Sequence, residues 1–304
     1  MNSELGGVVA LSCRLAATED LDALLDVALA GLASGLGLAH SMLLVVEEGT
    51  DRLVLLASHG YARAGVGAEV ELGVGTIGVA AARGVPIRIG NLRAALRYAR
   101  TTREQLVEQK GEAFVSREIP MPGLEDVDSQ LAVPMLAQGR LMGAICVESS
   151  EPAAFDATTE QVLALLANQI AAGIALASPV AEQPARARVQ AEAGGPAGAP
   201  VRIRYYHEDS SLFLDGQYLI KSLPGRILWR LLTQQRDEGR REFTNKELRL
   251  DAALQLPPIK DNLETRLILL RRRLEERTDA IRLLKAGRGR FRLELGRPFV
   301  LEEV

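Results

Sequence analysis

The stretch Ser129–Ser149, SQLAVPMLAQGRLMGAICVES, sets the fold of the first half of the chain. Its apolar runs Gln130–Leu136 and Leu141–Glu148 are separated by Ala137–Arg140, with Gly139 in the turn. Short apolar runs joined by a glycine-containing turn predict a β-hairpin. We therefore expect two tightly paired antiparallel strands here.

The segment after the hairpin predicts a helix. Apolar residues recur at three- and four-residue steps from Leu163 to Ile174, which places a stripe on one face of a helix over about Ala157–Ala177. Asp156 is placed to cap its first turn. This helix can pack within its own chain or pair between two chains.

Upstream of the hairpin the pattern alternates between helix and strand. An amphipathic helix is predicted over Glu19–Leu36, followed by strands at Met42–Glu47 and Arg52–Ser58. The segment Gly73–Gly84 has the glycines of a turn that opens a short helix, and a strand follows at Pro86–Ile89. The predicted sheet is antiparallel.

The hairpin sequence, the AFD that follows it, the helix TTEQVLALLANQIAAGIALA and the upstream segment GVGTIGVAAARGVPIRIGN together resemble the GAF domain family. The resemblance covers roughly Leu5–Ser178. It implies an α+β fold with a central antiparallel sheet between helices, a role in sensing a small molecule or a protein, and dimerisation through terminal helices. The ligand is unknown, and no cofactor is evident.

Cysteine and histidine usage limits the chemistry. With Cys13 and Cys146 as the only cysteines, the chain has no disulfide framework and no cysteine-rich zinc site. Its histidines lack ligand spacing, so no metal site is predicted. Some GAF-like proteins reduce methionine sulfoxide with a reactive thiol, but Cys146 lies on an apolar strand and is predicted to be buried and structural. We expect no enzyme, and a thiol enzyme remains as a third hypothesis.

Composition and charge predict two different domains. The chain has 304 residues, of which 47% are hydrophobic and 25% charged, as in globular proteins. Residues 1–200 carry 14 Lys and Arg against 23 Asp and Glu, a net charge of −9, whereas the rest carries 22 against 16, or +6. This asymmetry favours a module that meets a polyanion at the C-terminal end. No signal peptide or membrane span is predicted, and we expect a cytoplasmic protein.

Residues 179–200, PVAEQPARARVQAEAGGPAGAP, read as a linker rich in proline, alanine and glycine. The predicted domains are therefore 1–178 and 201–304. In the second, strands at Val201–Tyr206 and Ser211–Ile220 are expected, the latter turning at Asp215-Gly216. Three helices and a hairpin should follow.

The first of those helices includes Arg226–Gln235, and the second begins at the capping box Thr244–Glu247. The third is predicted over Lys260–Arg277, before a basic hairpin built from Ile281–Lys285 and Arg290–Leu295. This order, carried by FLDGQYLIKSLPGRILWRLL, FTNKELRL, DNLETRLILLRRRLEER and IRLLKAGRGRFRLEL, resembles the winged helix-turn-helix effector domain of response regulators over roughly 201–295. The resemblance implies that the third helix enters the DNA major groove and that the hairpin touches the backbone or minor groove.

A buried stripe of leucines on the third helix leaves the opposite face for DNA. That exposed face is predicted to carry Thr265, Ile268, Leu269, Arg272, Arg273 and Glu276. The predicted DNA-binding residues are Thr265, Arg266, Ile268, Leu269, Arg271, Arg272, Arg273, Arg288 and Arg290. Ile268 and Leu269 depart from the polar contact residues usual in this family, and they favour the alternative that the domain docks on another protein.

The sequence thus predicts a cytoplasmic transcription regulator that acts as a homodimer. A GAF domain senses a ligand or a partner, and a winged helix binds double-stranded DNA. The alternative is a regulatory adaptor whose winged helix binds a protein and never meets DNA.

Overall fold

The computed structural model describes residues 2–93, 119–176, 199–254, 256, 263–287 and 289–304. The chain divides into two compact units, 1–176 and 177–304. Of the predicted linker, 179–200, all but the last two residues lie outside the described residues.

The first unit consists of an antiparallel sheet and the helices that pack against it. The six strands stand in the order β3-β2-β1-β6-β5-β4, and every neighbouring pair is antiparallel. The elements, in chain order, are α1 (Asn2–Ala17), α2 (Leu21–Leu36), β1 (His40–Glu47), β2 (Arg52–His59), β3 (Glu69–Glu71), α3 (Gly75–Arg83), β4 (Ile87–Ile89), β5 (Ser129–Ala137), β6 (Arg140–Ser149) and α4 (Ala157–Leu176).

The predicted central hairpin is confirmed as β5 and β6. Their pairing runs from Ser129 opposite Ser149 to Ala137 opposite Arg140, so the loop contains Gln138 and Gly139. Both loop residues have positive φ, 51° and 74°, as the twist of a two-residue hairpin requires. The turn is tighter than the sequence pattern suggested.

Local capping starts two of the predicted helices. The Asp20 carboxylate accepts a hydrogen bond from the Ala23 amide at 3.0 Å, and α2 begins one residue later. Asp156 accepts from the Thr159 amide at 2.7 Å and caps α4 as predicted. These bonds satisfy amides that have no partner within the helix.

Helix α4 is also the described helix that is long and apolar enough to cross a membrane, by length and composition alone. Its stripe of buried residues, which includes Leu163, Leu166 and Ile170, contributes to the core of the first unit. The Gln169 side chain exchanges two hydrogen bonds with Ser12 of α1, at 3.0 and 2.8 Å. Packing within the first unit therefore accounts for one face of the helix, whereas Leu165 and Leu176 are 66% and 76% exposed.

The second unit contains two sheets and three α-helices among its described residues. One sheet has the order β13-β7-β8-β9 and the other the order β10-β12-β11. The elements are β7 (Val201–Tyr206), β8 (Ser211–Leu214), β9 (Gln217–Ile220), α5 (Ser222–Glu238), β10 (Glu242–Thr244), α6 (Asn245–Leu250), a 3₁₀ turn (Ala252–Leu254), α7 (Leu263–Arg277), β11 (Ile281–Gly287), β12 (Arg290–Leu295) and β13 (Phe299–Glu303).

The local sequence signals of this unit are confirmed. Asp215 and Gly216 form the turn between β8 and β9, with φ of 48° and 82°. The capping box before α6 is complete, because Thr244 accepts from the Glu247 amide and Glu247 accepts from the Thr244 amide. Residues 260–262 of the predicted third helix lie outside the described residues.

Strand β13 was not predicted. It pairs in parallel with β7, from Phe299 opposite Val201 to Glu303 opposite Tyr205. Glu302 forms ion pairs with Arg202 and Arg204 at 3.3 and 3.2 Å. The two strands are about a hundred residues apart in sequence, so no local pattern indicates that they pair.

Candidate functional site

One face of the first unit's sheet forms an apolar floor against which α3 packs. Met42, Leu44, Ala144 and Cys146 alternate along β1 and β6 on this face, as the two-residue period of a strand requires. Ile77, Ala80 and Ala81 of α3 belong to the same buried cluster. We call this surface the apolar floor.

A buried carboxylate lies at the edge of the apolar floor. Glu148 is 7% exposed and accepts three hydrogen bonds. The Tyr61 hydroxyl and the Leu124 amide donate to its Oε2, each at 3.2 Å, and the Gln130 side-chain amide donates to Oε1 at 2.9 Å. Three neutral donors thus replace the water that a buried carboxylate loses.

Burial also governs the groups around Glu148. Burial, followed by the charge of Glu148, raises the pKa of the Tyr61 hydroxyl, which therefore stays protonated and donates. The same two causes raise the pKa of the fully buried Cys146 thiol. Cys146 is buried, as the sequence predicted. A thiol that is hard to ionise is a poor nucleophile.

The hairpin of the second unit has one buried and one exposed face. Ile281, Leu283, Phe291 and Leu293 point inward. Alternation puts Arg282, Leu284, Arg290, Arg292 and Glu294 on the other face, and Arg282, Lys285 and Arg290 are exposed. Arg288, predicted to bind DNA, lies outside the described residues.

The prediction that the DNA-contact residues form an exposed face of the third helix is largely wrong. In α7, Thr265, Ile268 and Leu269 are only 5%, 6% and 3% exposed. Two more predicted contact residues are also buried: Arg266 and Arg273 are each 4% exposed. The prediction assumed one buried stripe, whereas α7 is contacted by α5, α6, β9 and β11 and so is buried on more than one side.

The structure gives Arg273 a different role. Its Nε donates to the Leu219 carbonyl of β9 at 2.8 Å, and its guanidinium pairs with Glu276 at 2.9 Å. Burial lowers the pKa of this guanidinium. Arg273 therefore joins α7 to β9. Of the predicted contacts on α7, Arg271 and Arg272 remain partly exposed.

The model of the GAF domain family named GAF_2 matches residues 18–175, which is more than half of the chain. The chain belongs to the GAF domain family. The GAF domain accounts for the α+β architecture of the first unit and indicates a regulatory or sensory role. The match ends at residue 175 and does not extend into the second unit.

Solved structures similar to the chain include two GAF domains and a reductase. The GAF domain of a phosphoenolpyruvate-protein phosphotransferase from Acinetobacter is 22% identical, with a TM-score of 0.47 over 58% of this chain and 95% of that one. The free methionine-R-sulfoxide reductase from Neisseria meningitidis is 21% identical, with a TM-score of 0.41 over 55% and 84%. The A. aeolicus nlh2 GAF domain is 21% identical, with a TM-score of 0.41 over 57% and 96%. No curated protein matches the chain.

Sequence reasoning missed the polar cluster of the GAF domain. The sequence pattern places Glu148 at the end of an apolar strand, two residues after Cys146 and therefore on the same face of the sheet. That spacing was the available signal. No sequence pattern indicates Tyr61 or Leu124, because each reaches Glu148 from a separate loop.

Proposed function

We propose that this protein is a sensory transcription regulator of the cytoplasm. Its GAF domain receives a ligand or a partner, and its C-terminal unit is a winged helix that binds double-stranded DNA. The order of strands, three helices and terminal hairpin in that unit supports this assignment, since it is the order expected of a response-regulator effector domain.

The observation that carries the DNA proposal is the set of exposed basic residues on the hairpin. Arg282, Lys285 and Arg290 are exposed, whereas Ile281, Leu283, Phe291 and Leu293 are buried. Exposed cations on a hairpin suit contact with phosphates. Together with Arg271 and Arg272 of α7 they give five candidate phosphate contacts.

This surface favours binding with little dependence on base sequence. Thr265, Ile268 and Leu269, which would have read bases, are buried. Phosphate contacts carry no direct sequence information. The burial of Ile268 and Leu269 also removes the exposed apolar patch on which the adaptor alternative was based.

The test is fluorescence anisotropy of the full chain with a random-sequence DNA duplex at 50 and 200 mM salt. Five phosphate contacts predict that affinity falls by on the order of 500-fold between the two, since each contact releases counterions. Absence of binding at the lower salt would reject DNA binding. Salt-independent binding would reject the phosphate contacts.

We also propose that the protein is a homodimer joined through helices of the GAF domain. Leu165 of α4 is 66% exposed, and Leu5 and Val9 of α1 are 63% and 55% exposed. Burying such side chains between two copies is favourable. A change in dimer geometry on sensing would then alter the spacing of two DNA-binding units.

For the dimer we expect Leu165→Glu to shift the full chain to the mass of a single copy in light scattering after size-exclusion chromatography. A charge at this position would have to be buried in the interface. The matched control is Val85→Glu, which introduces the same charge at an apolar residue that is 49% exposed and lies outside α1 and α4. A wild-type protein of single-chain mass would contradict the proposal.

We further propose that the GAF domain has no thiol enzyme activity. The support is the burial of Cys146, which raises the pKa of its thiol. Reduction of free methionine sulfoxide by the full chain, lost in Cys146→Ala, would overturn this.

A further inference from the structure

We draw no further inference here: the strongest candidate, the buried face of α7 on which Arg266 is 4% exposed and its Nη1 has no hydrogen-bond partner among the described residues, carries nothing because nothing in the described part of the chain points to an anion that would reach this side chain.

Discussion

Gly143→Ala is expected to destabilise the GAF domain by about 3 kcal/mol, the upper part of the range for overpacking a core. A Cβ atom at this position of β6 would lie 2.0 Å from the Leu44 carbonyl oxygen and 2.5 Å from the Met135 Cε. The methionine can move, but the carbonyl belongs to the backbone of β1, the strand paired with β6. Relief of the clash therefore requires two central strands to separate.

Urea unfolding of the full chain measures this effect, with hydrogen exchange in peptides of β1, β5 and β6 as the readout. At about 2 kcal/mol per molar urea, the midpoint should fall by about 1.5 M. The sole tryptophan, Trp229, lies in α5 of the other unit, so its fluorescence should keep its midpoint. This internal reference separates a local effect from a general one.

Gly6→Ala is the matched control. Gly6 is an exposed residue of α1, and a Cβ atom there would meet nothing within 4 Å. Because alanine is the better helix former, this change should stabilise the domain, by up to about 1 kcal/mol. Equal midpoints for Gly143→Ala and the wild type would show that β1 and β6 are not as close as described.

The combined change of Arg282, Lys285 and Arg290 to alanine is expected to weaken binding of random duplex by on the order of a hundredfold at 50 mM salt, at about 1 kcal/mol for each lost ion pair. The reason is the loss of three of the five proposed phosphate contacts. The slope of the logarithm of affinity against the logarithm of salt should decrease by about three.

Arg236→Ala is the control for this variant, because Arg236 is a surface arginine of α5 whose partner is the neighbouring Asp237. It should leave affinity and salt slope unchanged. The Trp229 emission of the triple variant should equal that of the wild type, since all three side chains are exposed. A triple variant that binds with the wild-type slope would remove the hairpin from the interface.

The sequence predicted the elements whose causes are local. The hairpin turn at Gly139, the cap at Asp156 and the capping box at Thr244 depend on residues within a few positions of each other. Their geometry is satisfied by neighbouring side chains and amides, so the pattern is sufficient to predict them. The same holds for the burial of Cys146 on an apolar strand.

The exposure of α7 could not be predicted in this way. Periodicity identifies the most apolar face of a helix, but it does not say how many neighbours pack around the others. Arg273 has the chemistry of a DNA contact, yet a backbone carbonyl of β9 and Glu276 hold it inside. A charged residue was assigned to the surface because the partners that allow its burial are not visible in sequence.

By itself the sequence determined that the chain has a GAF domain and a second, more basic unit, because families and charge balance are properties of residue order. Tertiary structure alone decided which side chains meet across long separations. Glu148 gains Tyr61 and Leu124 as donors, and β13 pairs with β7, through contacts between distant segments. Such contacts form when the whole fold brings the segments together, since loop closure over tens of residues has an entropic cost that local patterns cannot offset.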